Sequence, residues 1–204
     1  MRALLLNSSP HGEASHAYRL AREMVGTLGA HDQQITERDL VADPLPPIGR
    51  DYAAAVTSGN SQDAAFDWSE RVIREVEDTD LLIITTPMHN FTVPAALKLW
   101  IDHILRINRT FTSTPDGKVG LMRDRPTFVL VGSGGFHSGE RARQPDFLTP
   151  YLRYALESIG IRSVNFVLMQ GLVGGDVAVS KALLEARNAL LMHAPFNTVA
   201  SVSA

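Results

Sequence analysis

The stretch LLIITTPMHNF, which runs from Leu81 to Phe91, decides the fold. Its first six residues are apolar or β-branched without interruption, and an abrupt change to proline and polar residues ends the run. A short apolar run with such a boundary is typical of a strand that is buried on both faces, as strands of parallel sheets are. We therefore expect Leu81–Thr86 to be a central parallel strand and Pro87–Phe91 to be the loop at its carboxyl end.

Short apolar runs alternate with segments of helical periodicity along the whole chain. The other strand candidates are Ala3–Leu6, Ile35–Leu40, Thr127–Val131 and Val164–Met169. Helical periodicity marks residues 15–28, 51–77 with a break near 58–60, 92–105, 149–159 and 177–192, and residues 108–125 form an insertion with a Pro-Asp-Gly turn. This pattern of βαβ units predicts an α/β fold, with a doubly wound, five-stranded parallel sheet in a single domain over residues 1–204.

Residues with capping or helix-stopping chemistry stand at several of the predicted helix ends. Ser15 and Thr92 are expected to be N-caps, with Pro94 in the first turn after Thr92. Gly29 and Gly160 are expected to follow helix ends, because glycine readily adopts the left-handed conformation found there.

Composition excludes several classes of function. With 45% hydrophobic and 20% charged residues the chain can bury a core, and a net charge of -3 argues against a nucleic-acid partner. The absence of cysteine excludes disulfides, thiolate catalysis and a Cys-ligated metal. The apolar run at the N-terminus is too short for a signal peptide or a membrane span, so we expect a soluble, cytoplasmic protein with no membrane partner.

Three loops that follow predicted strands carry the candidate chemistry. The first loop, Ser8–Ala17, is rich in hydroxyl groups and opens a helix, whose free N–H groups suit a phosphate. The second loop, Pro87–Phe91, offers an amide side chain to a planar heterocycle and apolar side chains to its body. The third loop, Gly132–His137, has three glycines that let the backbone approach a flat ligand. Each loop alone is also compatible with a plain turn, but in a doubly wound sheet all three lie at one edge.

Other kinds of site fit less well. The first loop lacks the lysine of a P-loop, and the third lacks the last glycine of a dinucleotide-binding loop, since His137 stands there. His11, His89 and His137 also lie at strand ends, but no carboxylate is spaced to complete a metal site with them, so we expect no metal. The sequence around Ser133 is not the elbow of a serine hydrolase. A phosphate monoester on a mononucleotide is the ligand that these residues favour.

The same residues resemble the FMN-dependent NADH:quinone oxidoreductases, which are also called FMN-dependent NADH-azoreductases. The resemblance is carried by Asn7-Ser8-Ser9, Ser15-His16-Ala17, Pro87-Met88-His89-Asn90-Phe91 and Gly134-Gly135-Phe136-His137, and by Leu97-Lys98-x-Trp100-Ile101-Asp102, Thr110-Phe111, Gly117-x-x-Gly120-Leu121, Tyr151-Leu152 and Ile159-Gly160-Ile161. It extends over nearly the whole chain, and it implies a flavodoxin-like fold.

The resemblance also implies a cofactor and a set of residues that bind it. FMN would be held by Ser9, Ser15, His16, Ala17, Pro87, Met88, His89, Asn90, Phe91, Gly132, Ser133, Gly134 and Gly135. Three of these depart from the family pattern: Ala17 offers only its backbone N–H, His89 replaces a tyrosine, and Ser133 replaces an arginine.

The activity that the resemblance implies is a ping-pong transfer of two electrons from NADH, or NADPH, to quinones and aromatic azo compounds by a homodimer. We hypothesise that His137 stabilises reduced FMN, and that Phe111 and Phe136 contact the substrate, with Phe111 in an apolar wall or lid. Arg106 and Arg109 are candidates for binding the 2′-phosphate of NADPH. The alternatives are a flavodoxin-type electron carrier, a free-flavin reductase and a binder of other phosphorylated small molecules.

Overall fold

The computed structural model describes residues 1–28, 34–60 and 62–200. The strands are β1 Arg2–Asn7, β2 Gln34–Asp39, β3 Leu81–Pro87, β4 Phe111–Thr114, β5 Gly117–Gly120, β6 Thr127–Gly132 and β7 Val164–Met169. The helices are α1 His16–Gly26, α2 Arg50–Ser58, α3 Asp67–Glu77, α4 Ala95–Ile104, α5 Leu148–Ser158, α6 Asp176–Leu191 and α7 Asn197–Ala200. Over these ranges, no helix combines the length and the apolar character needed to cross a membrane.

Five strands form one parallel sheet in the order β2-β1-β3-β6-β7, which is the flavodoxin-like order, so the predicted fold is confirmed. The central strand is β3, which pairs with β1 through Leu5 and Ile83 and with β6 through Ile83 and Phe128. The predicted insertion contains β4 and β5, an antiparallel hairpin outside this sheet.

Each face of the sheet is covered by its own set of helices. Leu82 and Ile84 of β3 face a core that α3, α4 and α5 complete. Leu81 and Ile83 face the opposite core, which α1 and α6 complete. Because successive side chains of a strand point to opposite faces, a strand between two helix layers must be apolar at every position. This is the physical reason for the uninterrupted run at residues 81–84.

Two predicted helix boundaries and the number of helices need correction. Thr92 is not an N-cap, because its backbone pairs with His89 and α4 begins only after Pro94, which is itself the N-cap. Helix α1 already ends at Gly26, and Gly29 lies outside the described residues. The segment predicted as the last helix is α6, and the short α7 follows it.

The hairpin rests on the end of α5 through backbone contact. The N–H of Met122 donates to the carbonyl of Ile159 over 2.9 Å. A Cβ atom on Gly120 would lie 2.0 Å from the backbone nitrogen of Gly160. Gly160 follows the C-cap residue of α5 with φ +106°, which confirms its prediction as a helix stop. Both glycines are required because the two backbones leave no room for a side chain.

Candidate functional site

The three loops lie side by side at one edge of the sheet. They follow β1, β3 and β6, which are adjacent strands that run parallel, so their carboxyl ends meet. The chain order reverses between β1 and β3, because β2 lies on the far side of β1. In open α/β sheets ligands bind outside the carboxyl ends of the strands at such a reversal. The predicted juxtaposition of the loops follows directly from this strand order.

The first loop presents free backbone donors at the start of α1. The Ser15 hydroxyl accepts a hydrogen bond from the Tyr18 N–H over 3.4 Å, so Ser15 is the N-cap that the sequence predicts. The N–H groups of His16 and Ala17 have no acceptor among the described residues. Ser9 is held in the loop because its N–H donates to the Asn7 side chain over 3.2 Å. Free N–H groups at the positive end of a helix dipole form an anion site.

The second loop contains a strained turn. The backbones of His89 and Thr92 hydrogen-bond to each other in both directions, and the two residues between them, Asn90 and Phe91, have φ values of 46° and 73°. Positive φ at both central positions is typical of a type I′ turn, which strongly favours glycine at the second of them. A phenylalanine there is strained, and such strain clusters at functional sites. Phe91 is also 45% exposed, so its ring is available to a ligand.

The strained backbone at Phe91 predicts how substitutions at this position change the stability of the protein. We expect the Phe91→Gly variant to be more stable than the Phe91→Ala variant, with a free energy of unfolding that is higher by about 1 kcal/mol. The reason is that only glycine adopts positive φ without a penalty. Urea denaturation of both variants measures the difference. Met192 is the matched control, since it is also exposed but has φ -78°. At that position glycine is expected to be no more stable than alanine, and equal stabilities at position 91 would contradict the strain.

The third loop exposes the backbone of its glycines at the edge of the sheet. The Ser133 hydroxyl donates to the Gly135 carbonyl over 2.9 Å and closes the turn. Gly134 and Gly135 are exposed, and a Cβ atom on Gly134 would lie 2.9 Å from Cγ1 of Val173. A glycine at these positions therefore keeps the surface flat beside the neighbouring loop after β7.

His137, at the end of the third loop, carries a buried nitrogen without a partner. Its side chain is fully buried, and Nδ1 lies 3.3 Å from Oδ2 of Asp146. Nε2 has no hydrogen-bond partner within the described part of the chain. Buried polar atoms are almost always paired, so an unpaired one calls for an explanation such as a bound water, an ion or a ligand atom.

Two residues that the sequence reasoning missed hold His137 in place. Asp146 approaches its ring, and the side-chain oxygen of Gln170 accepts from the N–H groups of His137 and Ser138 over 2.8 and 2.9 Å. Burial alone would raise the pKa of the Asp146 carboxyl, but hydrogen bonds from Thr149 and the nearby His137 ring outweigh it and hold the pKa below its usual value. The position of Gln170, directly after the fifth predicted strand, was the available signal for its role.

The aromatic residues expected to contact substrate are placed differently from each other. Phe111 is 7% exposed and belongs to the core, with the Lys118 ammonium over its ring, and its role in an apolar wall or lid over the substrate stays a prediction. Phe136 is half-buried, and its ring lies against Gly171 with the Arg141 guanidinium 3.9 Å from the centroid. The exposed apolar side chains on and beside the loops are instead Phe91, Phe147 and Val173.

The two arginines considered for NADPH are engaged elsewhere. Arg106 is buried and donates to Glu70 over 2.6 Å, and Arg109 donates to both Glu70 and Glu77. Neither guanidinium is therefore free for a phosphate. We also find a cavity of about 540 Å³ along α3 and the amino ends of β1 and β2, and one of about 440 Å³ between α2, α3 and residues 106–109. None of the residues of the three loops lines either cavity.

Comparison with known proteins identifies the family. A family model described as the flavodoxin-like fold matches residues 1–194. FMN-dependent NADH:quinone oxidoreductase 4 of Pseudomonas fluorescens is 57% identical over 197 residues, which cover 95% of this chain and 96% of the relative. The chain belongs to the FMN-dependent NADH:quinone oxidoreductase family. FMN-dependent NADH:quinone oxidoreductase 5 of Burkholderia lata is 50% identical over 179 residues, with 86% of this chain and 88% of the relative covered.

This member of the FMN-dependent NADH:quinone oxidoreductase family is also similar in fold to solved structures. An azoreductase from Bacillus anthracis superimposes with a TM-score of 0.79 at 22% identity, covering 93% of this chain and 96% of the other. An FMN-dependent NADH-azoreductase from Bacillus anthracis in complex with FMN gives a TM-score of 0.78 at 21% identity, with coverage of 100% and 99%.

Proposed function

We propose that this protein is an FMN-dependent oxidoreductase that passes two electrons from NADH to quinones and aromatic azo compounds in a ping-pong cycle. The single observation that supports it most is the 57% identity to an FMN-dependent NADH:quinone oxidoreductase over nearly the full length of both chains. The open polar groups of the three loops fit the cofactor in that name.

The phosphate of FMN would bind at the first loop. The N–H groups of His16 and Ala17, which have no acceptor in the described part of the chain, supply the donors, and the hydroxyl groups of Ser9 and Ser15 lie in the same loop. Ala17 is buried in the core beneath α1, so it contributes backbone alone, as the sequence predicts. A phosphate monoester held in this way needs no metal ion, because the helix start supplies the positive potential.

The flavin ring would lie across the second and third loops. Pro87, Met88, His89, Asn90 and Phe91 would line one side, and Gly132, Ser133, Gly134 and Gly135 the other. His137 would meet a polar ring atom through Nε2, which has no partner among the residues that the structure describes.

The protein's contribution is binding and orientation, and FMN supplies the two-electron redox chemistry when it is bound. The exposed side chains of Phe91, Phe147 and Val173 give flat aromatic substrates an apolar surface beside the loops. Apolar surface of this kind favours quinones and azo compounds over charged acceptors. NADH and the acceptor would use this surface in turn, as a ping-pong cycle requires.

The finer points of the proposal concern cosubstrate, assembly and compartment. We propose NADH in preference to NADPH, because Arg106 and Arg109 are committed to carboxylates. A homodimer is supported by exposed apolar side chains such as Tyr154 and Leu121, which a partner would cover. Light scattering of the purified protein tests the dimer. The cytoplasm is proposed because the chain has no cysteine to form a disulfide.

One set of measurements separates this function from its alternatives. We expect the purified protein to show flavin absorbance that survives dialysis, and to oxidise NADH rapidly only when a quinone such as menadione or an azo dye is present. A flavodoxin-type carrier would not oxidise NADH directly, and a free-flavin reductase would lose its FMN on dialysis. A colourless protein that neither binds FMN nor consumes NADH would contradict the proposal.

A further inference from the structure

Asp146 uses its two carboxylate oxygens for two different tasks. Oδ1 accepts hydrogen bonds from the N–H groups of Leu148 and Thr149 over 2.9 and 2.8 Å, in the first turn of α5. Oδ2 lies 3.3 Å from Nδ1 of His137. One side chain therefore fastens the imidazole at the end of the third loop to the beginning of a helix.

The chemistry of the pair decides where the imidazole carries its proton. An ionised carboxylate can only accept hydrogen bonds, so Nδ1 of His137 must be the donor. In the neutral ring Nε2 then has a lone pair and no hydrogen, and it becomes a donor only when the ring takes up a second proton. The nitrogen without a partner is thus the one whose hydrogen-bonding character can change.

The main chain alone does not determine the orientation of this ring. Gln170 holds the backbone N–H groups of His137 and Ser138, which fixes the path of the loop. Among the described residues, the side chain that offers a hydrogen bond to the imidazole is Asp146. Partners of this kind set the tautomer of a functional histidine and raise the precision of its contacts.

We propose that Asp146 is the positioning residue of the flavin site, fixing the imidazole of His137 with its proton on Nδ1 so that Nε2 meets the polar edge of bound FMN. This inference rests on the proposed function. Nε2 accepts from a ring N–H when the imidazole is neutral and donates to a ring oxygen when it is protonated. The hypothesis that His137 stabilises reduced FMN requires the second of these states.

Asp146→Asn tests the proposal, because it reverses the hydrogen bond to His137 and retains the cap of α5. The N–H groups of Leu148 and Thr149 continue to donate to the side-chain oxygen of the asparagine. Its NH₂ group therefore faces Nδ1 of His137, and Nδ1 must accept the hydrogen bond. We expect ¹⁵N NMR of the histidine side chains to show the Nδ1–H form in the wild-type protein and the Nε2–H form in the variant. We also expect FMN affinity to fall about 10-fold, as the loss of one matched hydrogen bond implies.

Asp63→Asn is the matched control, because Asp63 caps a helical turn through the N–H of Ala65 and has no histidine partner within residues 1–28, 34–60 and 62–200. The histidine tautomers and the FMN affinity of the Asp63→Asn protein should match those of the wild type. Asp146→Ser serves if the asparagine variant does not fold, since serine can cap α5 but is too short to hold the ring. It should give a mixture of tautomers.

The proposal is overturned if a folded Asp146→Asn protein keeps the Nδ1–H form, or if the tautomer reverses and FMN affinity does not change. Failure of the proposed function would look different. In that case the wild-type protein would bind no FMN, and the NMR spectrum of the protein without cofactor would still show whether Asp146 sets the tautomer.

Discussion

Replacing Gly120 by alanine is expected to lower the free energy of unfolding by about 3 kcal/mol. A Cβ atom there would lie 2.0 Å from the nitrogen of Gly160 and 2.3 Å from the carbonyl carbon of Ile159. Both are backbone atoms, so no side-chain rotation relieves the overlap. The adjoining hydrogen bond between Met122 and Ile159 prevents the hairpin from moving away without a further loss.

Urea denaturation of Gly120→Ala measures this effect, and Gly26→Ala is the matched control. Gly26 is the last residue of α1, and a Cβ atom there would meet nothing within 4 Å. Alanine is the better helix former by up to about 1 kcal/mol, so the control variant should be as stable as the wild type or slightly more stable. A Gly120 variant as stable as the control would mean that the hairpin does not rest on α5.

The second large effect is expected at Glu70, which holds two arginines of the segment after α4. Arg106 is 6% exposed, and its guanidinium donates to Glu70 over 2.6 Å and to the Ser69 hydroxyl over 3.2 Å. Removing one partner of a buried ion pair leaves the other charge unsatisfied. Because Glu70 itself reaches solvent, we expect Glu70→Gln to lower the free energy of unfolding by about 2 kcal/mol.

Glu70 also makes stability depend on pH. Hydrogen bonds from Arg109, opposed by burial and reinforced by Arg106, lower the pKa of this carboxyl from 4.5 to about 2. The carboxyl is therefore protonated more easily in the unfolded chain than in the folded one. Its stabilisation is complete above about pH 4.5 and is lost as the pH falls towards 2. Melting temperatures between pH 6 and pH 3 should fall less steeply in Glu70→Gln than in the wild type.

Glu23→Gln is the control for the Glu70 variant. Glu23 pairs with Arg187 across two exposed side chains, and exposed pairs of this kind contribute little. We expect its melting curve to follow that of the wild type. If the Glu70 variant also followed it, Arg106 would not depend on this carboxylate.

The sequence predicts the sheet well because each central strand lies between two helix layers. That environment requires apolar residues at every position, as at Leu81–Ile84, and the requirement is local. The error at Thr92 has the opposite origin. The backbone of Thr92 hydrogen-bonds to His89 in a turn, so Thr92 does not start the helix. This turn forms although it places Phe91 at positive φ, a conformation that the local preference of phenylalanine does not predict.

The positions of the site loops could be predicted, but the partners of their side chains could not. Strand order brings the ends of β1, β3 and β6 together, and the sequence already indicates where each strand ends. Asp146 reaches His137 across nine residues and Gln170 reaches it across 33, so these contacts depend on the folded loop. The burial of Phe111 could not be predicted, because an aromatic residue in an insertion has the same sequence signature whether it faces solvent or the core.

The two oxygens of Asp146 bind different partners, the His137 ring and the first turn of α5, and this has a consequence for spectroscopy. A change of charge or hydrogen bonding at His137 alters the electron density that the same carboxylate offers to the N–H groups of Leu148 and Thr149. Those two amides lie outside the three loops, at the first turn of α5. Their chemical shifts therefore act as a built-in reporter, through which cofactor loading can be followed without a label on any ligand.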